Sequence, residues 1–386
     1  MSLSNMKDLV NEEAVQPSGA YLGSSSTQDT PPIFMEPPKL RPTLPLLVLA
    51  CNRVEIKSVL DSLLEMSAEL PNYSFPIMVS HGCRDQDTGN VIKQYRSKIQ
   101  TIEFVDKQSE RIKRAGVNTA YQSVAQHYRF ALNHVFLTLN WSSVIVVEDD
   151  LKLAPDFLNY FAATLPFLES DPQLYCISAW NDNGRPDLID KKRNDLIFKS
   201  DFFPGLGWLI LRPLWLEIRH SWPDIYWDEY LRHPGVRKHR TCLRPEIPRA
   251  VTFGRYGVSR GQYFSEFLEN MYLNREAFNF LGADLSYLKE PEYTSNWLRE
   301  VYGKSMSVQI EELNAHCEVM EEGEMPLRVT YSNQLEFSHI ARILKIMPDW
   351  KSGVMRTAYL GVVRVHWCNY TVYVAPKTSW SDYEET

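Results

Sequence analysis

Three consecutive carboxylates, Glu148-Asp149-Asp150, stand directly behind the apolar run Val144-Ile145-Val146-Val147. Adjacent carboxylates repel one another unless a cation or hydrogen-bond donors compensate, and hard oxygen ligands suit Mg²⁺ or Mn²⁺. The chemistry open to them is to hold a divalent ion against a diphosphate. A solvated loop start, or a cap for the next helix, is the competing reading, and the triplet alone leaves both open. A second pair of acids, Asp228-Glu229, sits in Trp222-Pro223-Asp224-Ile225-Tyr226-Trp227-Asp228-Glu229-Tyr230 among aromatic rings. A carboxyl held beside rings loses solvation, so its pKa rises and it becomes a better proton acceptor near neutral pH. A helix start with exposed acids and buried rings fits the same residues.

The elements that must position these groups are legible as patterns. β-Branched apolar residues in a row at 144–147 predict a strand buried on both faces. Acids at its carboxyl end fall where open α/β sheets bind ligands. Leu46-Leu47-Val48-Leu49-Ala50 predicts a second buried strand, followed by Ile56, Val59, Leu60, Leu63 and Leu64 at helical spacing. Further strands are expected at Ile77-Met78-Val79-Ser80, 101–105, 175–178, 196–200 and 208–211, with a polar turn from Gly82 to Gly89. Val124, Tyr128, Ala131, Val135 and Leu139 stripe a helix beginning near Asn118, and Phe157, Phe161, Leu165 and Leu168 stripe another that Ala154-Pro155-Asp156 opens. Alternating strands and helices imply an α/β fold with a mainly parallel sheet covered on both faces. Beyond Tyr287 short alternating segments such as Val308-Gln309-Ile310 and 361–366, with few helical stripes, suggest a smaller β-rich C-terminal domain. The division expected is a flexible leader or stem at 1–41, an α/β domain at 42–267 and a small domain at 291–386, and the resemblance set out below implies a linker at 268–290 between the two.

Composition narrows the function. A net charge of −7 and a pI near 5.8 give no basic footprint for nucleic acid. An acidic protein that handles a diphosphate needs local positive charge, which a bound divalent ion supplies. Six cysteines, without CxxC pairs, argue against zinc and against a disulfide scaffold. Asn-x-Ser/Thr triplets at Asn72, Asn140 and Asn369 permit a secretory location without establishing it. With no apolar run of bilayer length and no signal peptide, membrane attachment is expected only through an anchor absent from this chain. Asn181-Asp182-Asn183-Gly184 and Phe203-Pro204-Gly205-Leu206-Gly207-Trp208 read first as turns, although glycine there also lets backbone approach a ligand.

Taken in order, Ala50-Cys51-Asn52-Arg53, Val146-Val147-Glu148-Asp149-Asp150, Ser178-Ala179-Trp180-Asn181-Asp182-Asn183-Gly184, Asp201 to Trp208, Trp227-Asp228-Glu229 and Phe253-Gly254-Arg255-Tyr256-Gly257-Val258-Ser259 resemble the N-acetylglucosaminyltransferase I family from about Pro45 to the C-terminus. That resemblance implies a GT-A fold, a Golgi-lumen enzyme natively anchored in type II fashion, and Mn²⁺ as cofactor. The implied reaction is inverting transfer of GlcNAc from UDP-GlcNAc to the 2-hydroxyl of a terminal α-linked mannose on an N-glycan. It implies Asp150 as the metal ligand, Asp228 as the base and Trp227 beside the acceptor. Arg53, His127, Glu148, Asp149, Val258 and Ser259 would contact the nucleotide sugar. Glu229 stands where the family commonly has Asp, and Gly82 where it has an Asp that contacts uracil, for which Asp85 or backbone could substitute. Disulfides Cys51–Cys83 and Cys176–Cys242 are also implied, while Cys317 and Cys368 stay open. Transfer to O-linked mannose of proteins, or a catalytically silent glycan-binding homologue, are the alternatives. A metal-dependent hydrolase is disfavoured, because no histidine-rich ligand set accompanies the acids.

Overall fold

The computed structural model describes residues 41–105, 117–255, 257–258, 261, 264–317, 325–377, 380 and 383, and from Arg41 onward these belong to one compact unit. Residues 1–40 of the expected leader, and Ser259, lie outside the described residues. Among the described residues no helix is long and apolar enough to cross a membrane.

The first half alternates strand and helix. β1 (Leu46–Ala50), α1 (Ile56–Glu69), β2 (Ile77–His81), α2 (Gln86–Lys93), β3 (Gln100–Glu103), α3 (Val117–Asn133), β4 (Ser143–Glu148), β5 (Leu151–Leu153), α4 (Phe157–Ser170) and β6 (Leu174–Ser178) follow in turn. β7 (Ile197–Ser200), β8 (Trp208–Leu211), α5 (Arg212–Ile218), α6 (Trp227–Arg232), α7 (Pro234–Arg237), β9 (Thr241–Pro245) and β10 (Ala250–Thr252) complete it. Among the described residues the main sheet has eight strands in the order β3-β2-β1-β4-β8-β6-β9-β7. β3, β2, β1 and β4 run parallel, and β8 is antiparallel to both β4 and β6. The alternating pattern predicts a mainly parallel sheet, and the structure adds the antiparallel strands β8 and β7 to it.

Why β1 and β4 read as unbroken apolar runs follows from their neighbours. Successive side chains leave a strand on opposite faces. Leu46, Val48 and Ala50, with Ile145 and Val147, pack into a core shared with Ile56, Val59 and Leu60 of α1 and Phe157 and Phe161 of α4. Leu47 and Leu49, with Val144 and Val146, pack into a second core under Tyr128, Ala131 and Leu132 of α3. Helices on both sides demand apolar residues at every position, and that fixes where the strand must end: at the first charged residue, Glu148.

The remaining elements are α8 (Glu292–Leu298), β11 (Met306–Ser307), α9 (Leu313–Cys317), β12 (Leu327–Tyr331), α10 (Gln334–Leu344), β13 (Trp350–Lys351), β14 (Val354–Met355), β15 (Val363–Trp367) and β16 (Tyr370–Pro376). They build a four-stranded sheet, β11-β12-β16-β15, and the β13–β14 hairpin. Phe202 and Leu188 share this second sheet's core, and Tyr359, Val362 and Tyr373 share the first sheet's. Polar contacts reinforce the joint: Arg356 pairs with Asp182 at 2.7 Å and Asp349 at 3.1 Å, and Arg364 with Glu246 at 2.8 Å. Asp201 accepts from the Leu360 amide at 2.7 Å and the Tyr383 hydroxyl at 2.6 Å. Asn181-Asp182-Asn183-Gly184 is therefore a structural clamp. Asn183 donates to Thr357, and a Cβ at Gly184 would lie 2.2 Å from Pro248 Cγ.

Three expectations need correction. The polar turn from Gly82 to Gly89 is instead the lead-in to α2, whose N-terminal amides Asp85 caps by accepting from Thr88. Val308-Gln309-Ile310 is not a strand: Gln309 caps a 3₁₀ turn at Ile310–Glu312, and β11 precedes it. The C-terminal part also holds an amphipathic helix, α10, with Phe337, Ile340, Ala341 and Leu344 on its buried face.

One buried ion pair shows how the segment after β9 is fastened. Asp156 Oδ2 accepts from Arg249 Nη2 at 3.1 Å, Asn274 at 3.0 Å and the Phe278 amide at 3.2 Å, and both charged side chains are fully enclosed. Removing one partner of such a pair leaves an uncompensated charge, so Arg249→Met is expected to destabilise the protein by about 3–5 kcal/mol in urea unfolding. A loss within 1 kcal/mol of zero would contradict that reading of the pair.

Candidate active site

The site lies at the carboxyl ends of β1, β2 and β4. Beyond β4 the chain turns at Asp149-Asp150 and enters β5, which pairs antiparallel with β10. That ribbon returns Phe253 and Gly254 to the acids: the Phe253 amide donates to the Asp150 carbonyl at 3.0 Å. A Cβ at Gly254 would sit 2.0 Å from Asp150 Oδ2, and one at Gly257 would lie 3.6 Å from Arg53 Nη2. Glycine at 254 is thus what lets backbone close over the carboxylate. Val258 follows in the same loop, half-buried.

Arg53 is the cation that the acids face. Its Nε lies 3.5 Å from Asp149 and its Nη2 3.6 Å from Asp150. Asp149 also accepts from the Cys51 amide at 2.7 Å. The Cys51–Cys83 disulfide ties the loop after β1 to the loop after β2 beside these contacts, and Cys176–Cys242 staples β6 to β9. Both bridges are the ones the resemblance implies. Cys368 is disulfide-bonded too, whereas the Cys317 side chain lies outside the described residues.

Burial outweighs this compensation. It pushes Glu148 up to about 8, with the charges of Asp150, Asp149 and Asp228 adding to the rise while the Tyr128 hydroxyl, which donates to Glu148, opposes it. Burial likewise raises Asp149 to about 6 and raises Asp150, against the pull of the Cys51 amide and Arg53. Asp150 Oδ1 is buried with no hydrogen-bond partner. A site with a surplus of buried negative charge and an orphaned carboxylate oxygen fits a divalent cation. Among the described residues no three His, Cys, Asp or Glu side chains form a ligand cage. An ion here would take one or two carboxylates and draw its other oxygens from a bound phosphate, the arrangement usual for Mg²⁺-like ions.

α3 supplies two consecutive residues that point about 100° apart. His127 turns toward β2: its Nε2 lies 2.8 Å from Ser80 Oγ and its ring stacks on Phe104 at 4.9 Å. A Cβ at Gly82 would come within 3.1 Å of that ring, so glycine makes room for the histidine. Burial, reinforced by His81, holds the His127 pKa down to about 4. In the unfolded chain His titrates near 6.5, so below that pH the unfolded state takes up a proton that the fold refuses. The stability present above pH 6.5 is therefore lost as pH falls toward 4, by about 3 kcal/mol. His127→Gln is expected to remove that part of the acid slope in urea unfolding at pH 7 and pH 4; an unchanged slope would mean the ring is not held neutral.

Tyr128 turns the other way. Its hydroxyl donates to Glu148, and its ring stacks on Trp227 with centroids 4.1 Å apart. Trp227 is half-buried in a pile of rings, near-parallel to Trp208 at 5.8 Å and Trp222 at 6.1 Å. It opens α6, after Tyr226 in a left-handed conformation (φ 51°). Asp228 follows in the first turn of α6, partly exposed, with Oδ2 2.8 Å from Arg232 Nη1. Its charge is felt at Glu148. Glu229 pairs with Arg232 at 3.3 Å and with Lys351 at 3.1 Å.

The structure thus brings Arg53 to Asp149 and Asp150, with Glu148 just before them at the end of β4 and Val258 in the loop that returns to Asp150, and Tyr128 joins Glu148 to Trp227, the residue before Asp228. His127 stands beside Gly82 at the β2 end. Asp85, whose Oδ1 is engaged with Thr88, serves as a helix cap. Sequence reasoning overlooked Tyr128 and Arg232. Arg232 had a signal, its i,i+4 spacing from Asp228 on a helix; Tyr128 showed only as one member of an apolar stripe.

Fold and site together define an α/β protein with a cluster of buried carboxylates at the carboxyl ends of its parallel strands. The family model described as the GNT-I family matches residues 10–386, and the chain belongs to that family. It is 34% identical over 327 residues to the alpha-1,3-mannosyl-glycoprotein 2-beta-N-acetylglucosaminyltransferase of Arabidopsis thaliana, covering 83% of this chain and 71% of the relative. Among solved structures, TarS of S. aureus aligns with TM-score 0.37 at 14% identity, over 78% of this chain and 83% of that one. The mannosyltransferase PcManGT from Pyrobaculum calidifontis aligns with TM-score 0.31 at 16% identity, over 47% of this chain and 48% of that one.

Proposed function

We propose that this chain transfers GlcNAc from UDP-GlcNAc, with inversion, to the 2-hydroxyl of a terminal α-linked mannose of N-glycans, forming a β-1,2 linkage. Membership of the GNT-I family and the Arabidopsis relative's name support the reaction and its substrates. The observation that carries the assignment of roles is the coupling of two acidic groups through Tyr128, which touches Glu148 with its hydroxyl and Trp227 with its ring.

In this reading Asp150 would hold the cation, which we take to be Mn²⁺ and which would supply positive charge for a departing diphosphate. Arg53 orients Asp149 and Asp150 and adds its own positive charge at the same crevice. Glu148 and Asp149 face the sugar and ribose, and His127 and Val258, with Ser259 beyond the described residues, border the nucleotide. Trp227 and its ring pile wall the acceptor side. Asp228 accepts the proton of the mannose 2-hydroxyl as that oxygen bonds to the anomeric carbon and the bond to UDP breaks. Residues 42–267 would serve the donor, with 268–290 as linker and 291–386 as a smaller domain. The working place would be the Golgi lumen.

Purified protein with Mn²⁺ and UDP-GlcNAc should release UDP and extend a high-mannose N-glycan, in preference to an O-mannosyl peptide. Turnover on the peptide alone would shift the acceptor class. Binding of glycan without UDP release would replace the enzyme reading by a glycan-binding one.

A further inference from the structure

The structure assigns Arg232 as the positioning residue for Asp228, an inference that rests on Asp228 being the base. Arg232 closes α6, one helical turn after Asp228, and its guanidinium is almost entirely buried although it carries a full charge. A buried charge persists only when its donors are engaged, and each contact of this one bears on the base. Nε donates to the Phe203 carbonyl at 3.1 Å, which fixes the fork against the loop before β8. The guanidinium lies 4.5 Å from the centre of the Phe202 ring, a cation–π contact that fixes its position. Nη1, so held, reaches Asp228 Oδ2 at 2.8 Å. Oδ2 is tethered, and among the described residues no such contact holds Oδ1, which is left to meet a proton.

The same guanidinium separates the roles of the two neighbouring acids. Glu229 meets Arg232 at 3.3 Å and Lys351, from β13, at 3.1 Å. Both cations meet Glu229 at Oε1, so Glu229 is the more heavily paired acid, whereas among the described residues Asp228 has Arg232 alone as its cation and is the acid better able to react. Arg232 touches neither donor nor acceptor in this account. It acts by fixing where Asp228 points, so its loss should fall on turnover rather than on donor affinity.

The test uses Arg232→Ala and Arg232→Lys beside Asp228→Asn. Arg232→Ala is expected to lower kcat about 100-fold, within the range for general-base catalysis, with the Kd for UDP-GlcNAc and Mn²⁺ within about twofold of wild type. Added methylguanidinium should restore part of the lost turnover. Arg232→Lys keeps the charge but not the fork, and should lose about tenfold in kcat at unchanged donor affinity. Should the alanine variant fail to fold by circular dichroism, the lysine variant carries the test. Wild-type kcat in a folded variant, or a kcat loss matched by an equal loss of donor affinity, would overturn the assignment. Asp228→Asn distinguishes the two failures. If it keeps wild-type turnover, the reading of the base fails; if it is inactive while the Arg232 variants are not, only the positioning role fails.

Discussion

Asp228→Asn is expected to lower kcat by about 10²–10⁴-fold while UDP-GlcNAc binds nearly as in the wild type. The asymmetry follows from where Asp228 sits. It stands on α6, outside the Arg53–Asp149–Asp150 cluster, and is joined to that cluster through Trp227, Tyr128 and Glu148. Removing its charge leaves every donor-side contact in place. Asparagine is isosteric with the carboxylate and can still accept from Arg232, so the helix should hold its geometry while the proton acceptor is lost. Initial-rate kinetics with saturating acceptor, together with calorimetric titration of UDP-GlcNAc, separate the two quantities. Equal losses in both would mean that Asp228 serves binding rather than chemistry.

Asp150→Ala should have the converse signature. Its Oδ1 is buried without a hydrogen-bond partner, and its Oδ2 lies where a Cβ at Gly254 would fall, so this carboxylate has an oxygen available to an ion. UDP-GlcNAc affinity measured with Mn²⁺ is expected to drop about 100-fold, about 2.7 kcal/mol, to the value found without the metal. Gly254→Ala provides a second route to the same phenotype, since its methyl would fall 2.0 Å from Asp150 Oδ2 and must displace the carboxylate. Metal-dependent binding that survives in Asp150→Ala would move the ion to another ligand.

How much of this was legible in the sequence differs from element to element, for physical reasons. β1 and β4 were plain because helices on both faces leave no position free to be polar, and the first charged residue after β4 marks the sheet's edge. α2 was misread because Gly82 and Gly89 suggest turns, while the signal that mattered was Asp85 three residues before Thr88, a helix cap. α10 carried its i, i+3, i+4, i+7 stripe openly, from Phe337 to Leu344, amid polar residues that mask it in a coarse reading.

The acids themselves announced chemistry, but the contacts that connect them did not. That Tyr128 bridges Glu148 and Trp227 depends on α3 lying across the carboxyl end of β4 and on α6 folding back onto it. Likewise Lys351 reaches Glu229 only because β13 belongs to the part of the chain clamped on by Arg356, Arg364 and Asp201. Contacts between distant segments have no local period, so no reading of spacing reveals them. The two departures, Gly82 and Glu229, gain explanations of the same kind. Gly82 makes space for the His127 ring, and Glu229 has Lys351 as its partner.

In the proposed reaction the cation-binding acid, Asp150, and the proton-accepting acid, Asp228, lie on opposite sides of the same sugar. A crystal structure of the protein soaked with UDP-GlcNAc and Mn²⁺ tests it most directly. The account predicts the ion on Asp150, between that carboxylate and the diphosphate, with the GlcNAc anomeric carbon turned toward Asp228. An ion coordinated elsewhere, or a sugar whose open face looks away from Asp228, would contradict it.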